Sequence, residues 1–312
     1  MKKYLLKIAL FFALMFVIDM VCGWAFGLLR NMARSGQTFK NEYIYRECDD
    51  DILILGSSKA DHHYLPSVFE DSLGLTCFNA GEMGCGIIPA YIRYNMVRKR
   101  HKPKLVLYEV TPSYDYLQDN DYSSYLGVIR QYAYIDLVRK VIIDFSDRFE
   151  GFKIISSLYR NNSKLMMNIK NVFSKPDQWK GYEPLYGKLS RSETLDTIQK
   201  DFSVDSLKWS YMLKLAQEIM ADSVQLIYII SPVYKGGGNG MSEEYAPIVS
   251  LCEKHNLPLI NNLSLKQFEC DKEYYQDEVH LNHNGAICYS QFVVGQIKKL
   301  DCGSQLIFRT NP

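Results

Sequence analysis

The stretch DILILGSSKADHHY, residues 51 to 64, is where the fold is decided. An apolar run over 51 to 56 closes on Gly56, two serines follow, and polar residues come at once. A short apolar run bounded by a turn glycine predicts a buried strand. The run alone does not say whether a serine here is a nucleophile or part of a tight strand-to-helix turn, where small residues are the rule.

Outward from this stretch, the chain alternates. Apolar runs at 76 to 81, 103 to 112, 224 to 234 and 257 to 262 read as four further strands. Between and after them, 65 to 74, 88 to 101, 205 to 222, 242 to 256 and 284 to 300 carry helical periodicity. Strands alternating with helices predict βαβ units and an α/β fold around a five-stranded parallel sheet. Ligands of such sheets sit beyond the carboxyl ends of the strands. Gly56-Ser57-Ser58, Gly81 and Thr111 each follow a strand, so all are expected on one edge. Residues 113 to 205, rich in Tyr, Asn, Ser and Lys, break the alternation. They read as a mainly helical insertion, with helices near 134 to 145 and 163 to 173. A lid, a glycan-contact surface and a docking face for another membrane protein are all open for it.

The 312 residues are 47% hydrophobic and carry a net charge of +1, from 36 basic and 35 acidic side chains. That is enough apolar content for a sizeable core, and the even balance argues against a nucleic-acid partner held by a basic field. The eight cysteines form no CxxC pair, which removes zinc-ribbon and thioredoxin-type readings. One or two disulfides are expected only if the domain is extracytoplasmic, and Cys77, Cys85, Cys252 and Cys288 lie in apolar contexts that suit buried thiols.

The N-terminus addresses the compartment. From Ile8 to Leu29 the chain is apolar except for Asp19, a length of about 33 Å as a helix, sufficient for a hydrocarbon core of about 30 Å. It has no Ala-x-Ala-like exit, and Cys22 lacks the small preceding residue of a lipobox. An uncleaved transmembrane signal anchor over 1–29 is expected, then a linker at 30–50, the α/β domain at 51–302 and a tail at 303–312. Lys2, Lys3 and Lys7 favour a cytoplasmic N-terminus, although Arg30, Arg34 and Lys40 follow the span. The large domain is placed outside the cytoplasmic membrane. Asp19, costly in lipid, marks either a helix partner or an interface.

Far downstream lies YYQDEVHLNHNGA, residues 274 to 286. Asp277 and His280 are three apart, a spacing that shares a face on a helical turn. An Asp so placed fixes the imidazole tautomer and leaves the other nitrogen to activate a serine. With these residues the sequence resembles the SGNH/GDSL hydrolase superfamily. The opening GSS at 56 to 58 stands where that family has Gly-Asp-Ser. FNAGEMGCG at 78 to 86 resembles its second block, and DEVHLN at 277 to 282 its last. The resemblance covers about residues 50 to 112 and 205 to 300 and implies a flavodoxin-like three-layer sandwich. It also implies Ser58 as nucleophile, His280 as base, Asp277 as its orienting group, and an oxyanion hole from the Ser58 and Gly81 amides, with no cofactor. The family's third-block Asn is missing, since the third strand ends YEVTPSYD. That departure, the Gly-Ser-Ser opening and the anchor resemble the branch of teichoic acid D-alanyl transfer and alginate O-acetylation proteins. This branch implies a cell-envelope glycan or acyl donor as partner, and a neighbouring membrane-bound O-acyltransferase.

Each signal has a plainer reading. Ser57 competes as nucleophile or caps the following helix through its hydroxyl. Lys59 reads as an exposed lysine. Asp61, His62 and His63 with His280 and His283 raise a zinc site, but adjacent histidines normally diverge, and Asn282 and His283 suit the start of the last helix. GGGNG at 236 to 240 is a flexible loop without the Lys-Ser/Thr of a phosphate loop. Asn262-Leu263-Ser264 is a glycosylation acceptor only on a eukaryotic secretory route. An α/β-hydrolase, a non-catalytic partner of a membrane acyltransferase and a glycan-binding module remain as rivals.

Overall fold

The computed structural model describes residues 1–118, 122–190, 202–234, 243–269 and 271–304. Five strands form one parallel sheet: β1 (Ile52–Gly56), β2 (Cys77–Asn79), β3 (Leu105–Glu109), β4 (Gln225–Ile230) and β5 (Leu259–Asn261). Their order is β2-β1-β3-β4-β5, the flavodoxin-like arrangement. In β1 and β3 every residue is buried, as strands covered on both faces require.

The period of two in a strand divides the core. On one face Ile52, Ile54, Leu105, Leu107, Ile227 and Ile229 join Tyr64, Phe69, Tyr289, Val293 and Ile297 from helices flanking the sheet. The other face carries Leu53, Val106, Tyr108 and Tyr228, all buried. There the Tyr228 hydroxyl reaches the Met212 sulfur of the helix Ser206–Ala221. That helix also packs on Ile87–Arg98, with Tyr91 and Tyr211 edge to face at 4.9 Å. Asp205 caps it by accepting from the amides of Leu207 and Lys208. Asn282 does the same for the last helix, His283–Ser304, accepting from the Gly285 amide.

The N-terminal helix Lys2–Asn31 is long and apolar enough to cross a membrane, with a mean hydropathy of 2.4 over its best window. The chain divides into two compact units, one of residues 1–42 with 121–177, the other of residues 43–120 with 178–312. Three expectations change. The linker at 30–50 is instead the helix Gly36–Arg46, with Ile44, Tyr45 and Cys48 buried. Its polar residues misled because they are satisfied inside: the Thr38 hydroxyl donates to Asn168 at 2.8 Å and accepts from Asn171 at 3.0 Å. The insertion at 113–205 splits. Its helices Asp136–Asp144 and Leu165–Phe173 belong to the first unit, whereas residues 178–190 run against the sheet unit. There Lys180 accepts the Asn79 amide on β2 and Leu189 enters the core. Asn262 is buried and bonded to Tyr289 and Gln296, which removes it as a glycan acceptor. Six cysteines are free thiols; Cys270, the Cys302 side chain and the GGGNG loop lie outside what is described.

Candidate active site

Gly56 ends β1 with φ at +138°, a conformation L side chains rarely adopt, and a Cβ there would meet the Glu109 carbonyl of β3 at 2.5 Å. The register that pairs Gly56 with Glu109 therefore requires glycine. Ser57 is buried, and Ser58 opens the helix Ser58–His63. The Ser58 amide is among the first N–H groups of that helix, which have no intrahelical acceptor.

Ser58, His280 and Asp277, separated by more than two hundred residues of chain, meet in one relay. The Ser58 hydroxyl lies 2.8 Å from His280 Nε2. His280 Nδ1 lies 2.9 Å from Asp277 Oδ2. An ionised Asp can only accept, so Nδ1 carries the proton and Nε2 is left to accept from Ser58. Asp277 Oδ1 also accepts the amides of Val279 and His280, each at 2.8 Å. Burial would raise this carboxyl, but the His280 ring and the two amides outweigh it and bring its pKa down to about 2. The Asp277 and His280 backbone is a bend closed by these bonds, and not the helical turn that the spacing of three had suggested.

Ser57 does not cap the helix with its side chain. Its hydroxyl donates to Thr111 Oγ1 at 2.8 Å, linking the ends of β1 and β3. Thr111 thus holds the strand-end position from which a side-chain donor was missing. Gly81 lies flush against the helix of Ser58, since a Cβ would meet the Asp61 amide nitrogen at 2.4 Å. Its own amide, expected in an oxyanion hole, donates to Asn79 Oδ1 at 2.9 Å. Asn79 Nδ2 in turn donates to the carbonyls of Ala60 and Tyr64. Arg93, buried and paired with Glu82, donates to the carbonyls of Ala80 and Gly81 and fixes this turn from below.

Beneath the relay is a network that sequence reasoning missed. Lys59 is no exposed lysine: its side chain is 3% exposed and its Nζ lies 3.0 Å from Glu109 Oε1. Burial works against that charge, yet Tyr245 and Glu109 outweigh it and hold Lys59 above the ordinary lysine pKa. Glu109 also accepts the Ser231 amide and hydroxyl, at 3.1 and 2.7 Å, and the Tyr64 hydroxyl. Ser231 faces His63 Nδ1 at 2.9 Å, and His63 Nε2 accepts the Leu281 amide at 3.0 Å. An Nε2 that accepts leaves the proton on Nδ1 to donate to Ser231. Burial and the neighbouring His280 and Lys59 push the His63 pKa well down, in keeping with this neutral tautomer. Leu281 directly follows His280, so the network pins the backbone that carries the His280 ring. The one signal in the sequence was a carboxylate, Glu109, inside the otherwise apolar LVLYEV.

The histidines of the zinc hypothesis take separate partners. His62 Nδ1 donates to the Glu183 carbonyl at 2.7 Å, and His283 faces the Tyr182 hydroxyl. Among the described residues no group of three or more His, Cys, Asp or Glu could hold a metal.

No family model and no curated protein matches the chain. Solved structures give a distant likeness. A GDSL-like lipase from Bacteroides thetaiotaomicron aligns with 84% of this chain and 98% of its own, at 9% identity and a TM-score of 0.38. An acetyl xylan esterase aligns with 80% and 98%, at 13% identity and a TM-score of 0.39.

Proposed function

We propose that this chain is a serine esterase or O-acyltransferase of SGNH type, held to the membrane by Lys2–Asn31 with its sheet unit outside the cytoplasmic membrane. The observation that carries the reading is the relay Ser58–His280–Asp277, with a nucleophile, a base and an orienting acid at bonding distance in the right order. Ser58 Oγ adds to an acyl carbonyl while its proton passes to His280 Nε2. The alcohol departs with that proton, leaving an acyl-serine. Water or an acceptor hydroxyl, deprotonated by His280, then takes the acyl group and restores Ser58. Asp277 holds the tautomer and favours the imidazolium formed on the way. The oxyanion is met by the Ser58 amide. The Thr111 hydroxyl serves as side-chain donor, because its oxygen already accepts from Ser57 and its proton can point to substrate. The Gly81 amide joins only if Asn79 releases it.

The acceptor we assign to this chemistry is a hydroxyl of a cell-envelope glycan, with a membrane-bound O-acyltransferase as the source of the acyl group. The test is labelling of the full-length protein with a fluorophosphonate, the adduct being mapped by mass spectrometry. Ser58 should be modified, and Ser58→Ala and His280→Ala should abolish labelling while keeping the wild-type melting temperature. A folded protein that takes no label would be a non-catalytic partner or a glycan-binding module instead.

A further inference from the structure

Asp19 interrupts the apolar helix Lys2–Asn31, and a carboxylate there is costly in lipid unless it is partnered. Its partners are not on a second apolar helix. They are the Ser156 hydroxyl at 2.6 Å and the amides of Ser157 and Leu158, at 2.8 and 2.9 Å. One turn further along, Gly23 lets the same segment lie flush, since a Cβ there would meet Ser157 Oγ at 2.6 Å. Two independent contacts thus fix residues 156–158 beside positions 19 to 23 of the helix.

That level lies within the apolar span. From Tyr4 to Trp24 the helix rises about 30 Å, the thickness of a hydrocarbon core. Tyr4 and Trp24 are both exposed, and such rings favour the two membrane–water boundaries. Asp19 is five residues inside Trp24, or about 7.5 Å. Immediately before Ser156 the chain presents Phe149, Phe152 and Ile155, which are 54%, 73% and 69% exposed and recur at a spacing of three. Ile154 between them is buried, so this short helical stretch turns its large apolar side chains outward by design of its sequence. Arg148 lies over the Phe149 ring, 4.8 Å from its centroid, while Lys153, inside the stretch, is paired with Glu150 at 3.4 Å and Asp147 at 3.8 Å. Three large apolar side chains exposed on one short stretch, with a cation at its start, suit the headgroup–acyl boundary.

We propose that Phe149–Ile155 is a second membrane contact: a wedge that enters the headgroup–acyl boundary of the leaflet from which Lys2–Asn31 emerges, with Arg148 at the phosphates. The inference rests on the membrane-spanning reading of that helix. Wedge and helix together would hold this unit at two points on the bilayer, so that it cannot swivel freely about a single anchor.

The experiment places p-benzoylphenylalanine singly at Phe12, Phe152 or Ile155 of the full-length protein. Each form is reconstituted into phosphatidylcholine vesicles containing phosphatidylglycerol, irradiated, and its adducts are mapped by mass spectrometry. Lipid adducts at all three positions are expected. Lipid at Phe12 with none at Phe152 and Ile155 overturns the wedge and leaves the anchor standing. Peptide adducts at Phe152 and Ile155 overturn it in favour of a second copy of this chain. No lipid at Phe12 refutes the membrane-spanning reading, and the wedge falls with it.

Discussion

Replacing Glu109 with glutamine removes one charge and almost no volume from beneath the relay. The Glu109 side chain is 0% exposed and its carboxylate lies 3.0 Å from the Lys59 ammonium. At an effective dielectric constant of about 20, two unit charges at that separation attract by ~5 kcal/mol. Hydrogen bonding changes less, because a glutamine oxygen still accepts from Ser231 and its amide can donate to the Tyr64 hydroxyl. The stranded lysine must then stay charged in a buried site or lose its proton. The second course sets a ceiling, since neutralising a lysine of pKa about 10.4 at pH 7 costs ~4.6 kcal/mol. The expected loss is about 3–5 kcal/mol, a large part of a total stability of about 5–15 kcal/mol. The pH dependence has a definite sign. In Glu109→Gln the folded-state pKa of Lys59 falls below its unfolded value. Between the two the unfolded chain binds more protons, so stability rises with pH by up to ~1.4 kcal/mol per unit. In the wild type the shift is upward, so the stability it brings is fully present below pH ~10.4 and lost only above it. The gap between the proteins should therefore narrow from pH 7 to pH 10. Urea denaturation of the detergent-solubilised chains, followed by near-ultraviolet circular dichroism across that range, measures it. A loss under ~1 kcal/mol at pH 7, the scale of a surface pair, would refute the reasoning. So would a loss that does not change with pH.

Three further variants probe the site. Asp277→Asn should cut kcat on an aryl acetate by about 10⁴-fold by releasing the imidazole tautomer. The same variant should flatten the acid side of the melting curve. The lowered Asp277 pKa stabilises the folded state above the unfolded value of about 3.9, and that stability is lost as pH falls through about 2. Thr111→Val should lower kcat by about 10²–10³-fold with KM unchanged, and Thr111→Ser should restore most of it; equal rates for wild type and Thr111→Val would remove the hydroxyl from the oxyanion hole. His63→Phe strands the Leu281 amide, at a cost of about 1–3 kcal/mol in urea denaturation, and should lower kcat more than it raises KM because the backbone behind His280 is no longer held.

The sheet was legible because its strands are fully buried. DILILG and PKLVLYEVTP are too apolar for any other place, and the glycine or proline at their ends marks where they stop. The strand-end edge was legible for the same reason, since parallel strands put all their carboxyl ends together. The pairing of Ser58 with Asp-x-x-His came from spacing and from family likeness, and the structure brings those side chains to bonding distance. What sequence could not show was where polar residues are satisfied. Lys59 and the helix Gly36–Arg46 looked solvated because their composition is that of a surface. Both are buried because partners distant in sequence answer them: Glu109 for Lys59, and Asn168 and Asn171 for Thr38. No periodicity encodes such a match, because each half is polar by itself.

The two carboxylates of the site make the same point chemically. Asp277 is half-exposed and meets the amides of its own bend, so its charge is stabilised locally and its place follows from a spacing of three. Glu109 lies within a strand, and its charge is tolerable only because Lys59 and Tyr64 from one neighbouring segment and Ser231 from another converge on it. One carboxylate orients the His280 ring directly. The other acts through Ser231 and His63 on the backbone just after it. His280 is thus held on two sides by groups of opposite solvent exposure.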